Sequence, residues 1–250
     1  MPRHAHHPSD TRRDLAARIG QPIGDLGSQF MLDGATYARG AELGFSGFDF
    51  YAAGRGGVLG AVDANVVVAA FTFIGPETIR ASWANGLQVM DPHLAAAAFI
   101  ECGYEWGRAN LAADLPAERF VELVTRVTDA VEPFGVPLFA AWRAAPWPSD
   151  PPARALHAVH LLRELRGGYH AVAVLANGVD PHAAVVSKSG PVVAEFLGWS
   201  APHPEVDEHP VHEALRAAED ATNLLMAHDL AVLTDDEVEE LASIAATLRA

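Results

Sequence analysis

The sequence predicts a mainly α-helical protein in which two helical halves pack as one compact body, and three features carry that expectation. Apolar residues recur at three- and four-residue spacing along most of the chain. Ser, Thr and Asp stand ahead of these runs and Gly or Pro behind them, as at helix starts and stops. The segment 144–152, AAPWPSDPP, puts four prolines into nine residues and cannot continue a helix, so it marks the boundary between the halves. The expected divisions are a tail and short helix over 1–24, a helical half over 25–147 and a second over 148–250.

Residues 1–8 read as an unstructured tail, with metal capture by His4, His6 and His7 the alternative. Ser9 or Asp10 caps a short helix through Ile19, closed by Gly20 and Pro22, and a second helix spans Ser28 to Leu43 before Gly44. In FSGFDFYAAGRGGVLG, residues 45–60, aromatics feed into glycines. The spacing matches neither a P-loop nor a dinucleotide fingerprint, so packing or turns are expected, with Arg55 as an anion contact the sharper alternative. Asp63 caps a helix through Phe73 that is apolar nearly all round and therefore expected to be buried. Gly75 and Pro76 turn the chain into another helix to about Leu87, a first helix-turn-helix candidate whose second helix offers one cation, Arg80.

Asp91 and Pro92 open a long helix to about Ala112, with Leu94, Ala97, Ala98, Ile100, Tyr104 and Leu111 as its expected inner stripe. Glu101, Glu105 and Arg108 form a salt-bridged face, a two-carboxylate metal site being the alternative. Helices follow over Pro116 to Val131 and around Phe139 to Arg143.

Beyond the proline segment, Arg154 to Leu165 reads as a helix with Leu156, Val159, Leu162 and Leu165 inward, which sets His157, His160 and Glu164 on neighbouring positions. Gly167 and Gly168 are expected to break it, and Tyr169 and His170 to open the next helix. With Gly178 as the turn and Asp180 as the cap, residues 169–189 have the dimensions of a helix-turn-helix unit. Two C-terminal helices, Val211 to His228 and Asp235 to Leu248, close the chain, Thr234 and Glu237 signalling a capping box. Their apolar stripe covers the second half, or else forms a homodimer interface.

The 250 residues, half of them apolar, suffice for a sizeable core. The single cysteine, Cys102, excludes an internal disulfide and a multi-cysteine metal site. No charge-free apolar run of about 18 residues and no signal-peptide core occurs, so a soluble, cytoplasmic protein away from membranes is expected. The net charge of −15 is uneven: residues 201–250 carry twelve acids against two arginines, while 151–200 carry four cations against three acids. Affinity for DNA comes largely from cations that displace counterions, and this chain has one lysine, so nucleic acid is not the expected partner.

HLLRELRGGYHAVAVLANGVDPHAAVV, at 160–186, resembles the HLLREHRGDGHVAALVAAGLDGLEAL type of segment in a poorly characterised actinobacterial helix-turn-helix family. GRGGVLG, VVVAAFTFIGPETI, APWP and LGWS are similar to further segments of that family in the same order, over roughly residues 45–200. The resemblance implies a mainly helical, winged-helix-derived fold with two related halves. Two departures stand out: Gly168 replaces the family's Asp, and the chain after Trp199 is strongly acidic.

The function expected is small-molecule binding, as a sensor or a component of secondary metabolism. An anionic or aromatic ligand would sit between the halves, against aromatics from Phe45 to Tyr51, Phe71, Phe73 and Trp83. Arg55, His160, Arg163, Arg166 and His170 would supply polar contacts suited to a carboxylate or phosphate. Against this stands the plainer role of such groups, pairing with acids such as Glu164. A DNA-binding regulator is the first alternative. The second is an enzyme with His170 as base, aided by Asp63, Tyr104 or Glu105, or a haem protein with His160 or His170 as axial ligand. No nucleophile motif of the GxSxG type and no HExxH occurs, so no catalytic set, metal or cofactor is assigned.

Overall fold

Side-chain caps set most of the helix starts. A computed structural model describes residues 8–206 and 208–249, so the expectation for His4, His6 and His7 lies outside the described residues. The helices are α1 (Asp10–Gly27), α2 (Gly34–Glu42), α3 (Asp49–Gly56), α4 (Ala64–Ala70), α5 (Pro76–Val89), α6 (Pro92–Asn110), α7 (Ala117–Ala130), α8 (Pro137–Arg143), α9 (Pro151–Ala176), α10 (Pro181–Phe196), α11 (Glu208–Asp229) and α12 (Asp235–Ala245). Short 3-10 turns lie at Phe30–Leu32, Gly57–Leu59 and Leu230–Val232. Among the described residues, β pairing is confined to an isolated bridge between Leu111 and Arg249. Ser9, Asp33, Asp63, Asp91, Asp150 and Asp180 each accept a backbone N–H two or three residues on, and Thr234 with Glu237 completes a reciprocal capping box.

The organising element is α9. Its 26 residues span about 39 Å at 1.5 Å per residue, and α1, α6, α7, α8 and α11 pack around it. Leu156, Val159, Leu162 and Leu165 are buried as expected, but so are His157, His160, Leu161 and Glu164, so most of the helix surface faces protein. The remaining helices form an outer shell: α3 packs on α6 and α5, α4 on α5, α12 on α1 and α7, and α10 on α11 and α9. One apolar core runs from Leu15 to Leu248, and a smaller one joins Ala173, Val174, Val179, Ala184 and Ala218 where α9, α10 and α11 meet. The α12 stripe of Val238, Leu241 and Ile244 is buried within the first of these. No helix among the described residues is long and apolar enough to cross a membrane.

Several boundaries differ from the sequence expectation, each for a local reason. The expected break at Gly167 and Gly168 is absent, because both glycines keep negative φ and α9 runs through them. Gly168 is small for another purpose: a Cβ there would lie 2.5 Å from Val136 Cγ1, whereas one on Gly167 would meet nothing within 4 Å. Helix α1 continues past Gly20 and Pro22 to Gly27. Gly20 and Gly27 instead make room for arginines, since a Cβ would come within 2.3 Å of Arg166 Nε and 2.7 Å of Arg163 Cδ. The expected helix over Ser28 to Leu43 is split, with Asp33 capping its second part.

Helix α4 is not the buried helix its apolar sequence suggested. It ends at Ala70, only Val67 is fully buried, and Val66 stays exposed. On α6 Tyr104 is buried as expected and Ala98, Ile100 and Leu111 pack on the core, but Ala95, Phe99, Cys102, Gly103 and Trp106 form its more deeply buried stripe while Leu94 is 62% exposed. Small residues favour that burial by letting neighbours approach, as where Gly54 of α3 meets Phe99 so closely that a Cβ would lie 2.5 Å away.

The two α9 glycines therefore separate in a stability measurement. Gly167→Ala should stabilise by about 1 kcal/mol, the helix-interior difference between Ala and Gly. Gly168→Ala should destabilise by about 1–3 kcal/mol despite the same propensity gain, because it overpacks Val136. Urea unfolding of the two variants against the parent protein measures both.

Candidate functional site

On α9, Arg163, Glu164, Arg166, Gly167 and His170 fall on successive turns, and Glu164 is the one whose burial demands partners. Its side chain is 2% exposed. Arg55, arriving from the end of α3, donates to both of its oxygens, from Nε at 3.0 Å and Nη2 at 2.8 Å, while Nη1 donates to Tyr51 Oη at 3.0 Å. The Arg55 guanidinium also lies 4.5 Å from the centroid of the Phe71 ring, and the Trp142 indole N–H donates to the Arg55 carbonyl. Arg163 Nη1 donates to Glu164 Oε1 at 2.7 Å. Burial alone would raise the Glu164 carboxyl, but Arg55 and then Arg163 overrule it and hold it at about 2.

This ion cluster forms one wall of a cavity of about 400 Å³. Tyr51 and Arg55 of α3, Phe71, Phe73 and Ile74 from the α4–α5 turn, Val136 and Leu138 near α8, and Arg163, Arg166, His170 and Val172 of α9 line it. Gly24 of α1 adds a bare stretch of backbone. Glu164 is the one carboxylate among these lining residues, against three guanidinium groups.

Farther along α9 the polar groups turn toward α11. Arg166 Nη2 bonds Glu219 and Asn223, while its buried Nε makes no hydrogen bond. His170 Nδ1 lies 3.2 Å from Thr222 Oγ1 and 3.5 Å from Glu219. Because the Thr222 hydroxyl donates its hydrogen to the Ala218 carbonyl, the imidazole supplies the hydrogen at Nδ1 and keeps Nε2 as its basic nitrogen. Burial lowers the His170 pKa, against a smaller upward pull from Glu219.

Of the residues read from the sequence, Arg55, Arg163, Arg166 and His170 come together at this cavity with Tyr51, Phe71 and Phe73. Arg55, Arg163 and Arg166 are also paired with acids, so the cavity and the ion pairs coexist. Trp83 and His160 lie elsewhere. Trp83 is buried with its indole N–H on the Val62 carbonyl. His160 sits with its ring centroid 4.0 Å from that of Trp142 and 5.7 Å from that of Phe30, and neither ring nitrogen makes a hydrogen bond. The space beside His160 and His157 is about 10 Å³, far too small for a porphyrin, which removes His160 as a haem ligand. Of the aromatics at 45–51, Phe45 and Phe50 pack into the core and Tyr51 reaches the cavity.

The helpers considered for a His170 base are not beside it. Asp63 caps α4, Tyr104 Oη donates to the Pro146 carbonyl and meets His157 Nδ1 at 3.1 Å, and Glu105 is exposed. Glu101 is spent on Arg108, which also holds Asp150. Among the described residues no three His, Cys, Asp or Glu side chains converge as a metal site. At the start of α10, His182 is stacked on Trp199 and bonded to His203, and Arg80 of α5 is taken by Glu77 and Asn65.

Sequence reasoning treated Glu164 only as a possible tie for its neighbours, and Glu219 and Leu197 went unnoticed. The Arg163–Glu164 adjacency was visible, but the Arg55–Glu164 pair joins residues 109 apart and has no local signal.

A family model described as a helix-turn-helix family matches residues 16–203. No curated protein and no solved structure matches the chain.

Removing the Glu164 charge leaves Arg55 buried without its counter-ion, so Glu164→Gln should destabilise by about 3–5 kcal/mol. Glu42→Gln, which breaks the exposed pair with Arg39, should cost under about 1 kcal/mol. Urea denaturation of both variants tests this contrast.

Burial also holds His157 at about 4 and His160 at about 3. Unfolded imidazoles take up protons below about pH 6.5 whereas these two stay neutral, so stability is full above pH 6.5 and is lost as pH falls toward 3. Each contributes a slope of about 1.4 kcal/mol per pH unit inside that window. Urea unfolding at pH 7 and pH 5 should show the loss, and His160→Leu should reduce it by one imidazole's share.

Proposed function

The chain belongs to this helix-turn-helix family, and from that premise we propose that it is a small-molecule-binding protein whose ligand occupies the cavity walled by Arg55, Arg163 and Arg166. One observation carries the reading: an apolar and aromatic chamber of about 400 Å³ is faced by three guanidinium groups and a single carboxylate. Small-molecule sites have this form, mostly apolar with a few convergent polar groups. The excess of positive charge selects an acid, and the aromatic edges of Tyr51, Phe71 and Phe73 select a flat or ring-bearing one. Arg163 commits one N–H to Glu164, so its guanidinium keeps further donors for a ligand carboxylate. The setting proposed for such binding is a sensor or a component of secondary metabolism.

The family match favours DNA binding as the second reading. Its natural recognition element is the first part of α10, which begins with Asp180, Pro181 and His182, and base reading favours Arg, Lys, Asn or Gln there. Lys188 is the one cation on that helix.

Thermal denaturation against a panel of aromatic and alicyclic carboxylic acids tests the first reading. A ligand at about 100 times its Kd should add about 2.7 kcal/mol, or roughly 5–10 °C in a chain of this size. Arg163→Met should abolish the shift. A salt-sensitive, saturable gel shift with duplex DNA, together with no shift from any acid, would replace this reading with the second.

A further inference from the structure

A second cavity of about 580 Å³ lies between α10 and α11, on the far side of Phe73, His170 and Leu197 from the first. Its walls are apolar where Ala184, Val185 and Leu215 face one another. Its rim carries Lys188 and Arg216, both exposed. Acids outnumber cations 32 to 17 in this chain, and ion pairs or carbonyl, amide or ring contacts occupy the other described cations. Lys188 and Arg216 have no such contact, and both stand at the mouth of one apolar cavity. Ser187 also borders this cavity, although its hydroxyl is turned into the protein and is not reachable from it.

We propose that this second cavity binds a carboxylate carried on an unbranched apolar chain, with the carboxylate on Lys188 and Arg216 and the chain laid between Val185 and Leu215. The one carboxylate in the lining, Glu219, is already matched by Arg166, so the two rim cations set the sign of the site. They suit one carboxylate rather than a polyphosphate, because two side-chain cations match a single negative group. The lining residues leave out the first three positions of α10 and α11, Ser187 to Ser189 standing in the last turn of α10 before the non-helical Gly190, so no N-terminal amides cradle phosphate. The site is independent of the ligand proposed for the first cavity, since neither Lys188 nor Arg216 lines that cavity.

The test is isothermal titration calorimetry of the full chain with decanoate below its micellar concentration, and with decanol as the uncharged counterpart. Decanoate should bind one-to-one, and decanol about tenfold more weakly or less. Lys188→Met and Arg216→Met keep much of each apolar stem at an exposed position, and each should weaken decanoate about tenfold. Arg163→Met should leave decanoate affinity unchanged, which separates this site from the first cavity. Equal affinity for decanol, full affinity in the Lys188→Met/Arg216→Met double variant, loss of binding in Arg163→Met, or no decanoate binding at all would each overturn the assignment.

Discussion

A carboxylate sits in the middle of a helix that protein surrounds on most sides, and the surrounding architecture answers to its charge. An ionised Glu164 in that position is tolerated only with its oxygens matched, and Arg55 matches both through a bidentate fork. That requirement fixes the end of α3 against α9. Tyr51, one turn earlier, takes the remaining arm of the same guanidinium, and Trp142 of α8 takes the backbone carbonyl of Arg55. Three elements distant in sequence are thus registered by one ion pair. The apolar core supplies the bulk of the stability, since buried ion pairs specify geometry more than they stabilise.

The same arginine, with Arg163 and Arg166, borders the cavity. Arginine side chains that reach Glu164 and Glu219 along α9 need space over α1, and α1 provides it with glycine at 20 and 27. Those side chains pack tightly on Gly20 and Gly27, and between them Gly24 faces open space and lines the cavity. Guanidinium groups carry five N–H donors, and a single acidic partner leaves several of them unengaged. Arg163 thus engages Glu164 through one N–H while its side chain also lines the chamber.

Most helices of this fold are legible in the sequence because their starts are written locally. Asp33 and Asp150 aside, the capping residues, Pro76 and Pro92 at first-turn positions, and the Thr234–Glu237 box are visible without tertiary information. The misread stretches share one cause, which is that glycine and alanine were read as punctuation or filler. Gly167, Gly168 and Gly20 stay helical, and at Gly168 and Gly20 the missing side chain makes room for a neighbour. On α6 Gly103 was passed over and Leu94 was counted inward, whereas Gly103 is buried and Leu94 is exposed. At the site, the cluster of Arg163, Arg166 and His170 on α9 was legible from spacing along one helix. Its link to Arg55 was not, because that pairing depends on how α3 and α9 cross.

The acidity of the C-terminal region has a structural use that bears on what the chain can bind. Asp235, Glu237, Glu239 and Glu240 of α12 pair with Arg12 and Arg18 of α1 and with Arg119 and Arg126 of α7. Exposed pairs of this kind contribute under about 1 kcal/mol each, so the buried stripe of Val238, Leu241 and Ile244 holds the helix down while the charges fix its register. Those arginines are consequently taken out of circulation. A helix-turn-helix scaffold grips a phosphate backbone with free cations spread along one face, and here the two described cations without a contact, Lys188 and Arg216, both edge one concave site beside His170. Concave, apolar and cation-edged surfaces complement single acidic groups on small apolar molecules far better than they complement a duplex.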